Sequence, residues 1–576
     1  MKWSMIWRFK IKMKKIVKIA ENDKVKNYIM PLFVTILYFG ILFIVYNFTY
    51  SEDDAYFSAN FSGKYNGVRD PYMIFIKYVL GCFISFFYDI RADVNWYCFF
   101  MWSFIIISFD LVIKRICIIC NAFTTRFWAI FGYIVFYTLF FLRGYIKFNF
   151  SYVAATVGLV SVFYMVTFRC CMDRMKQSVV GIVISIIVCY MVRYEVGLVV
   201  IVLCAELSFF MFLKYRRKCL NYLLLIWGLI IIGIGLIEIA ENIAYSSEEW
   251  QEERQYNIDR STVHDYYGYP EYHDAIEIYE KYNISETEVE LISNGVYNVT
   301  ERANMHNLMH ELAVRQTNKH ALYSHNEMKG KIFDTWAKIF EYWTSSSYSF
   351  INILICISSV FFILLYEVKG EKEEAIFTLI FLLTNGAMWV YLIWRGRIND
   401  HAIIPLQSFF GIYILGQILK NINNLAIDDK KKLVISKSIT CLIFIYILGY
   451  IGIVSYFFSK QMITQANYAE QVLDYANQSQ DRIYYTSTYD TSRIMTLHDT
   501  KNTSQMLYNT GNLMHPTIRK LLEKNYYYMV ADNEKYMVDL LVKALNDEEE
   551  QTVKAEQIDA ITDGSFQVNI YQFKIQ

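Results

Sequence analysis

Charge is scarce in this chain. Only 19% of its 576 residues are Asp, Glu, Lys or Arg, against about 25% in an average soluble domain. What charge there is cancels, 55 basic residues against 55 acidic, so no overall field draws the protein to nucleic acid. Proline is rarer still. Five residues, Pro31, Pro71, Pro270, Pro405 and Pro516, leave most of the chain free to run as helix. Cysteine is absent from 241–348 and 458–576, the two long polar stretches where a disulfide framework would need it. The eleven cysteines fall in or beside apolar runs and read as small buried hydrophobes. Cys117 and Cys120 form a CxxC pair, but no second pair completes a zinc site. Internal repeats are lacking, and Glu548-Glu549-Glu550 is the one low-complexity patch. These absences exclude an ordinary cytosolic enzyme, a disulfide-stapled domain and any disordered or fibrous class.

Apolar sequence is what the chain has in excess: 55% of residues are hydrophobic and 18% aromatic. A bilayer crossing takes about 20 apolar residues in a helix. Eleven runs meet or approach that length: 28–49, 96–113, 127–142, 150–168, 178–192, 196–213, 220–240, 350–366, 375–393, 402–419 and 434–458. The first is too long, and lacks the cleavage pattern, for a removable signal peptide. A twelfth run, 72–88, decides the topology. If it does not cross and the amino terminus is cytoplasmic, inner segments carry 25 Lys and Arg against nine in the short outer turns. If it crosses, the tally becomes 15 against 18 and the bias vanishes. Lys77, in mid-run, agrees with an interfacial segment, because a charge at mid-membrane is costly.

The expected fold is therefore a polytopic α-helical membrane protein of about 11 transmembrane helices plus an interfacial helix. A basic cytoplasmic segment, 1–27, precedes seven spans in 28–240, with an acidic first outer loop at 50–71 and the interfacial segment at 72–88. An extracytoplasmic helical region, 241–348, precedes four more spans in 349–458. The tail, 459–576, reads as an extracytoplasmic α/β domain, with strands at 482–489, near 526–530 and at 565–575 and a helix at 534–545.

All nine histidines fall on the expected outer side, where most of the polar sequence lies anyway. His306 and His310 share a helix face at i, i+4 beside Glu311, yet nothing supplies an obvious third metal ligand. The sharper feature is Ser51-Glu52-Asp53-Asp54, immediately after the first span. Adjacent carboxylates repel unless a cation, a basic partner or a proton relieves them. A solvated collar would explain them. A loop roofed by 72–88 would instead exclude water and make them useful as bases or metal ligands.

An acidic first outer loop, an interfacial helix, about eleven spans and outer domains resemble the GT-C superfamily of membrane glycosyltransferases. Protein O-mannosyltransferases and the aminoarabinose lipid A transferases belong there. EDDAYFS, KYVLGCFISFFYDIRADVNWY and DRSTVHDYYGYP look similar to multi-span proteins of Gram-positive bacteria with that loop pattern. The resemblance implies that an acidic residue of this loop is the catalytic base or ligates a metal, a role that maps onto Asp53 or Asp54, with Glu52 third. The implied cofactor is open, with Mg or Mn at Asp53 and Asp54 as the candidate. The implied partners are the lipid bilayer, a polyprenyl-phosphate sugar donor and a glycan or lipid acceptor.

The layout suits that chemistry. A carboxylate must take the proton of an acceptor hydroxyl, and cations must stabilise a departing phosphate. Basic residues of the outer side are candidates: Arg143, Lys147, Arg193 with Glu195, Arg395 and Arg397 in short turns, with His401 nearby, Arg69 in the first outer loop, and Arg260 in the second outer region, where a local ion pair with Asp265 is the plainer reading. Each has a plainer reading as a side chain snorkelling at a helix end. A lipid-linked-sugar flippase or other transporter is the rival class; such proteins place charges within spans and often carry paired repeats. A surface polysaccharide polymerase or ligase is the nearest rival within sugar chemistry.

Overall fold

A computed structural model describes residues 22–576 apart from 65–67, 121, 169–174, 322–324, most of 346–371, 396–398, 423–429, 479–480, 487–494, 496–506, 510–515, 550–551 and 564–565. The expected span at 350–366 lies almost wholly outside the described residues. Among those described, seven helices are long and apolar enough to cross a membrane. They are α1 (Val25–Val45), α4 (Trp96–Ile119), α5 (Phe123–Ile146), α8 (Tyr194–Tyr215), α9 (Arg217–Ala244), α15 (Lys372–Trp394) and most of α16 (Asp400–Ile422). The helices α6 (Phe150–Val166) and α7 (Met175–Val192) are apolar but shorter. Every residue of α6 is buried. It is the central post of the bundle, which is why 150–168 shows no amphipathic pattern. The chain is a multi-pass membrane protein.

Two short strands fix which helix ends coincide. β1 (Thr49–Tyr50) follows α1 and pairs in parallel with β2 (Lys147–Phe148), which follows α5. Between them lie α2 (Glu52–Ser62), α3 (Tyr78–Ile90), α4 and α5. With α4 and α5 each crossing the bundle, a crossing by α3 would put β1 and β2 at opposite ends. At 13 residues, α3 is about 20 Å long, short of the roughly 30 Å of a hydrocarbon core.

Lys77, just before α3, is buried rather than at a wet interface, contrary to the expectation from sequence. Its Nζ lies 2.7 Å from Glu238 and 3.7 Å from Glu241, both near the end of α9. The rings of Tyr190 and Tyr194 stand 5.5 and 5.3 Å from the ammonium. Neutralisation by carboxylates, not exposure, makes this charge tolerable.

The two polar regions build one unit. After α9 come α10 (Glu248–Ser261), a π-turn (Thr262–Tyr267), α11 (Ile276–Lys281), α12 (Glu286–Ser293), α13 (Arg302–Ala321) and α14 (His325–Ser345). The carboxy-terminal part follows α17 (Lys430–Gln478), 49 residues long. It contains β3 (Ile483–Thr486), β4 (Leu507–Asn509), β5 (Tyr526–Ala531), α18 (Tyr536–Glu549), β6 (Val553–Asp563) and β7 (Phe566–Ile575), in sheet order β4-β3-β5-β7-β6. The strands β3, β4 and β5 run parallel, while β7 is antiparallel to both β5 and β6.

Period-2 alternation sorts the sheet's faces. Tyr485, Tyr528, Val530, Tyr571 and Phe573 join a core with Tyr279, Leu291, Met305, Leu308 and α18. Tyr484, Tyr527, Met529, Val568 and Ile570 pack on Ala476 at the end of α17. Asn298 and Pro516 bind across the join, through Asn298 Nδ2 to the Pro516 carbonyl at 3.0 Å. The strands β4 and β6 were not legible in the sequence. In β6, VKAEQIDAITD, charged residues occupy much of the run, and a register shift between Gln557 and Asp559 breaks its alternation.

Candidate active site

Helix α2 is capped in a way that explains its acidic start. The Ser51 side chain takes the N-cap position, and Glu52, Asp53 and Asp54 fill the first turn, where the helix dipole favours negative charge. Gly63 closes the helix at φ +74°, a conformation that suits glycine. Successive residues on a helix point about 100° apart, so the neighbouring aspartates face different surroundings.

Asp54 points into the protein and is fully buried. Its Oδ1 accepts from the Tyr97 hydroxyl at 2.5 Å. Its Oδ2 accepts from the Ser51 hydroxyl at 2.6 Å and from the Phe150 amide at 3.2 Å. One carboxyl thus ties α2 to the starts of α4 and α6. Burial pushes its pKa up to about 7, held back by the bonds from Ser51 and Tyr97. With both oxygens engaged, Asp54 does not form a metal-ligating pair with Asp53, so the Mg or Mn site that the resemblance implies at these two residues does not fit the geometry. Among the described residues, no group of three or more His, Cys, Asp or Glu could hold a metal ion.

Asp53 is exposed to solvent yet walled in by protein. That enclosure raises its pKa; Arg193 and Arg260 pull it down, Asp265 raises it and Lys147 lowers it. Those four residues come from the turn before α8, from α10 and the π-turn, and from β2. They are 94 or more positions from Asp53 in sequence and meet at one end of the bundle. Glu52 lies 3.9 Å from Lys147 Nζ.

Arg193 is held firmly. It donates to the Ser151 hydroxyl, lies 3.5 Å from Glu195 and rests over the Phe150 ring at 4.9 Å. Arg260 donates to Asn257 at 3.2 Å and feels Tyr297 and Asp265. Asp265 takes a hydrogen bond from Ser261 at 2.9 Å. Arg395 stacks over Tyr266 at 4.6 Å and donates to the Tyr267 hydroxyl at 3.4 Å, so it abuts the same π-turn.

The other sequence candidates lie elsewhere. Arg69 pairs with Asp89, and its neighbour Asp70 instead accepts from the Tyr72 amide at 2.8 Å. Arg143 rests over Phe458 at 4.9 Å and interacts with Asp400, the neighbour of His401 at the start of α16. Arg397 lies outside the described residues. His306 lies 3.4 Å from Glu253 and stacks on Tyr256, whereas His310 meets Asp259 at 2.9 Å. The two histidines engage separate carboxylates of α10. Cys117 and Cys120 are buried and form no disulfide. Reading the sequence missed Tyr97 and Ser151. Tyr97 stood inside the quoted NWY segment, but nothing in a lone tyrosine at a span's start names its partner.

No family model matches the chain, and no curated protein matches it. Two solved structures of ArnT from Cupriavidus metallidurans are similar to it, one bound to undecaprenyl phosphate and one in the apo state. Each is 10% identical, covering 94% of this chain and 97% of the other, with TM-scores of 0.36 and 0.34. A likeness this distant fixes neither substrate nor site residue.

Proposed function

We propose that this protein is a membrane glycosyltransferase of the GT-C kind, moving a sugar from a polyprenyl-phosphate donor to a glycan or lipid acceptor of the cell envelope. The supporting observation is Asp53: an open carboxylate facing Arg193, Arg260 and Lys147 while its neighbour is spent on structure. In this reading the acceptor oxygen attacks the anomeric carbon and its proton passes to Asp53. The bond from that carbon to the phosphate oxygen breaks, and the phosphate leaves with the electron pair. Arg193, Arg260 and Lys147 offset its charge.

The positive-inside bias makes this end of the bundle extracytoplasmic, with the amino-terminal segment and 420–432 cytoplasmic. The test is incorporation of labelled sugar from a polyprenyl-phosphate donor into membrane acceptors. Asp53→Asn should cut transfer by roughly 10²–10⁴ at normal expression, the usual loss of a general base. Wild-type transfer by that variant would reduce the acidic turn to a solvated collar. Movement of lipid-linked sugar across vesicles without any transfer would put a flippase in its place, and a growing polymer as product would mark a polymerase.

A further inference from the structure

The bundle has a second recess, at the end far from Asp53. A cavity of about 600 Å³ lies between α4, α6 and α7, within the roughly 300–1,000 Å³ usual for ligand sites. Its floor includes Val157 of the fully buried α6. Its mouth is the gap between Ile107 on one side and Val180 and Ile184 on the other, which are 56%, 55% and 55% exposed. Exposed aliphatic side chains on apolar helices face lipid, so the recess opens to the bilayer rather than to water. On α4 the lining runs from Phe104 to Ile118, about 20 Å along the axis and so close to the depth of one leaflet.

One end of this groove is basic. Arg115 donates to Thr167 Oγ1 at 3.0 Å, to the Thr167 carbonyl at 2.8 Å and to Ser178 Oγ at 3.4 Å. Lys114 is half-buried, its Nζ 4.8 Å from the Tyr28 ring centre, with Asp110 one turn before it. Lys114 and Arg115 thus set two cations at this end of the groove against the one carboxylate of Asp110. Basic pockets between transmembrane helices on the inner side take anionic lipid head groups.

We propose that this groove holds one anionic phospholipid, its phosphate at Lys114 and an acyl chain along Leu111, Ile107 and Phe104. The proposal does not depend on the glycosyltransferase reading, which places the donor phosphate at the opposite end of the bundle. The full-length protein would be exchanged into nanodiscs of equal phosphatidylglycerol and phosphatidylcholine. Lipids that survive ejection would then be counted by native mass spectrometry.

One retained phosphatidylglycerol is expected, reduced roughly fivefold in Lys114→Gln, the worth of one basic residue at a lipid surface. Ile184→Trp, which fills the mouth from an exposed position, should abolish retention. Ile107→Trp is the second blocking variant, with circular dichroism confirming that each is folded. Equal retention of both lipids, or retention unchanged by the blocking variants, would overturn the proposal. So would displacement of phosphatidylglycerol by inorganic phosphate, which would mark a plain anion site. Retention of added undecaprenyl phosphate in preference to phosphatidylglycerol would also overturn it, making the groove a channel for the donor's tail.

Discussion

The Tyr97 hydroxyl reaches Oδ1 of Asp54 at 2.5 Å inside the protein. Asp53, one residue earlier, opens to solvent among arginines from distant parts of the chain. One carboxylate fastens the other's helix in place, so the pair divides support from chemistry.

That division predicts opposite outcomes for two similar substitutions. Asp54→Asn puts an amide NH₂ where one of three donors now points, leaving a buried donor unsatisfied at about 1–3 kcal/mol. Thermal unfolding in detergent should show this loss for Asp54→Asn and almost none for Asp53→Asn. Equal stability of the two variants would contradict the geometry.

The pH dependence follows from the same residues. Burial raises the folded pKa of Asp54 to about 7 from the ordinary carboxylate value of 3.8. The folded state therefore binds the proton more tightly than the unfolded state. Its contribution to stability is full below about 4 and is lost as pH rises through 7. Wild type should unfold at a higher temperature at pH 5 than at pH 8, with a shallower dependence in Asp54→Asn. Asp53, also raised, must be ionised to act as a base, so the acid limb of the rate profile should lie above the ordinary carboxylate range.

Arg193→Gln removes a guanidinium placed by Ser151, Glu195 and Phe150. If it meets the donor phosphate, the donor KM should rise roughly 10- to 100-fold, the worth of a charged hydrogen bond. Arg260→Gln should act in the same direction. Arg69→Gln, whose parent residue pairs with Asp89, should leave donor KM unchanged.

Lys77→Met should strip the counter-charge from Glu238 and Glu241. Glu241 is buried and also meets Arg254 at 3.2 Å and the Tyr78 amide at 2.8 Å. Removing one partner of a buried ion pair costs about 3–5 kcal/mol, at the upper end here only if Arg254 fails to compensate. Adding Glu238→Gln to Lys77→Met should recover part of the loss in a thermal melt. A double variant weaker than the sum of the singles would refute the pairing.

Topology is open to direct labelling. In a background with native cysteines replaced, single cysteines at Ser293 and Lys535, both exposed, should react with an impermeant reagent added outside intact cells. Protection of both would invert the orientation. Protection of one alone is incompatible with the core that α12 and α18 share.

Much of this was legible in the sequence because lipid imposes simple rules. Length and hydropathy located most of the described spans, and the Lys/Arg bias set 72–88 apart from them, where the structure has the 13-residue α3. The outer basic residues Lys147 and Arg193 were singled out by charge at turns that need none. What could not be read was partnership. Nothing in EDD says which carboxylate turns inward, because that depends on Tyr97 and Phe150, which reach the helix only in three dimensions. Lys77 reads in sequence as a charge at a wet interface, whereas the structure buries it against glutamates 161 and 164 residues away. The fusion of two polar regions into one unit left no periodic trace at all.

That fusion has a consequence for how the protein is made. Leu308, Leu312 and Ala313 wait for a sheet whose first strand begins about 170 residues later. At about 5–20 residues per second, that gap lasts roughly 10–30 s, during which the remaining spans must enter the bilayer. For that interval the first half presents an uncovered apolar face outside the membrane. A ribosome stalled within α17 would leave it so, and a chain truncated before β5 could not close it. Biogenesis of this protein therefore contains a timed vulnerability, fixed by where the two halves of one core sit along the message.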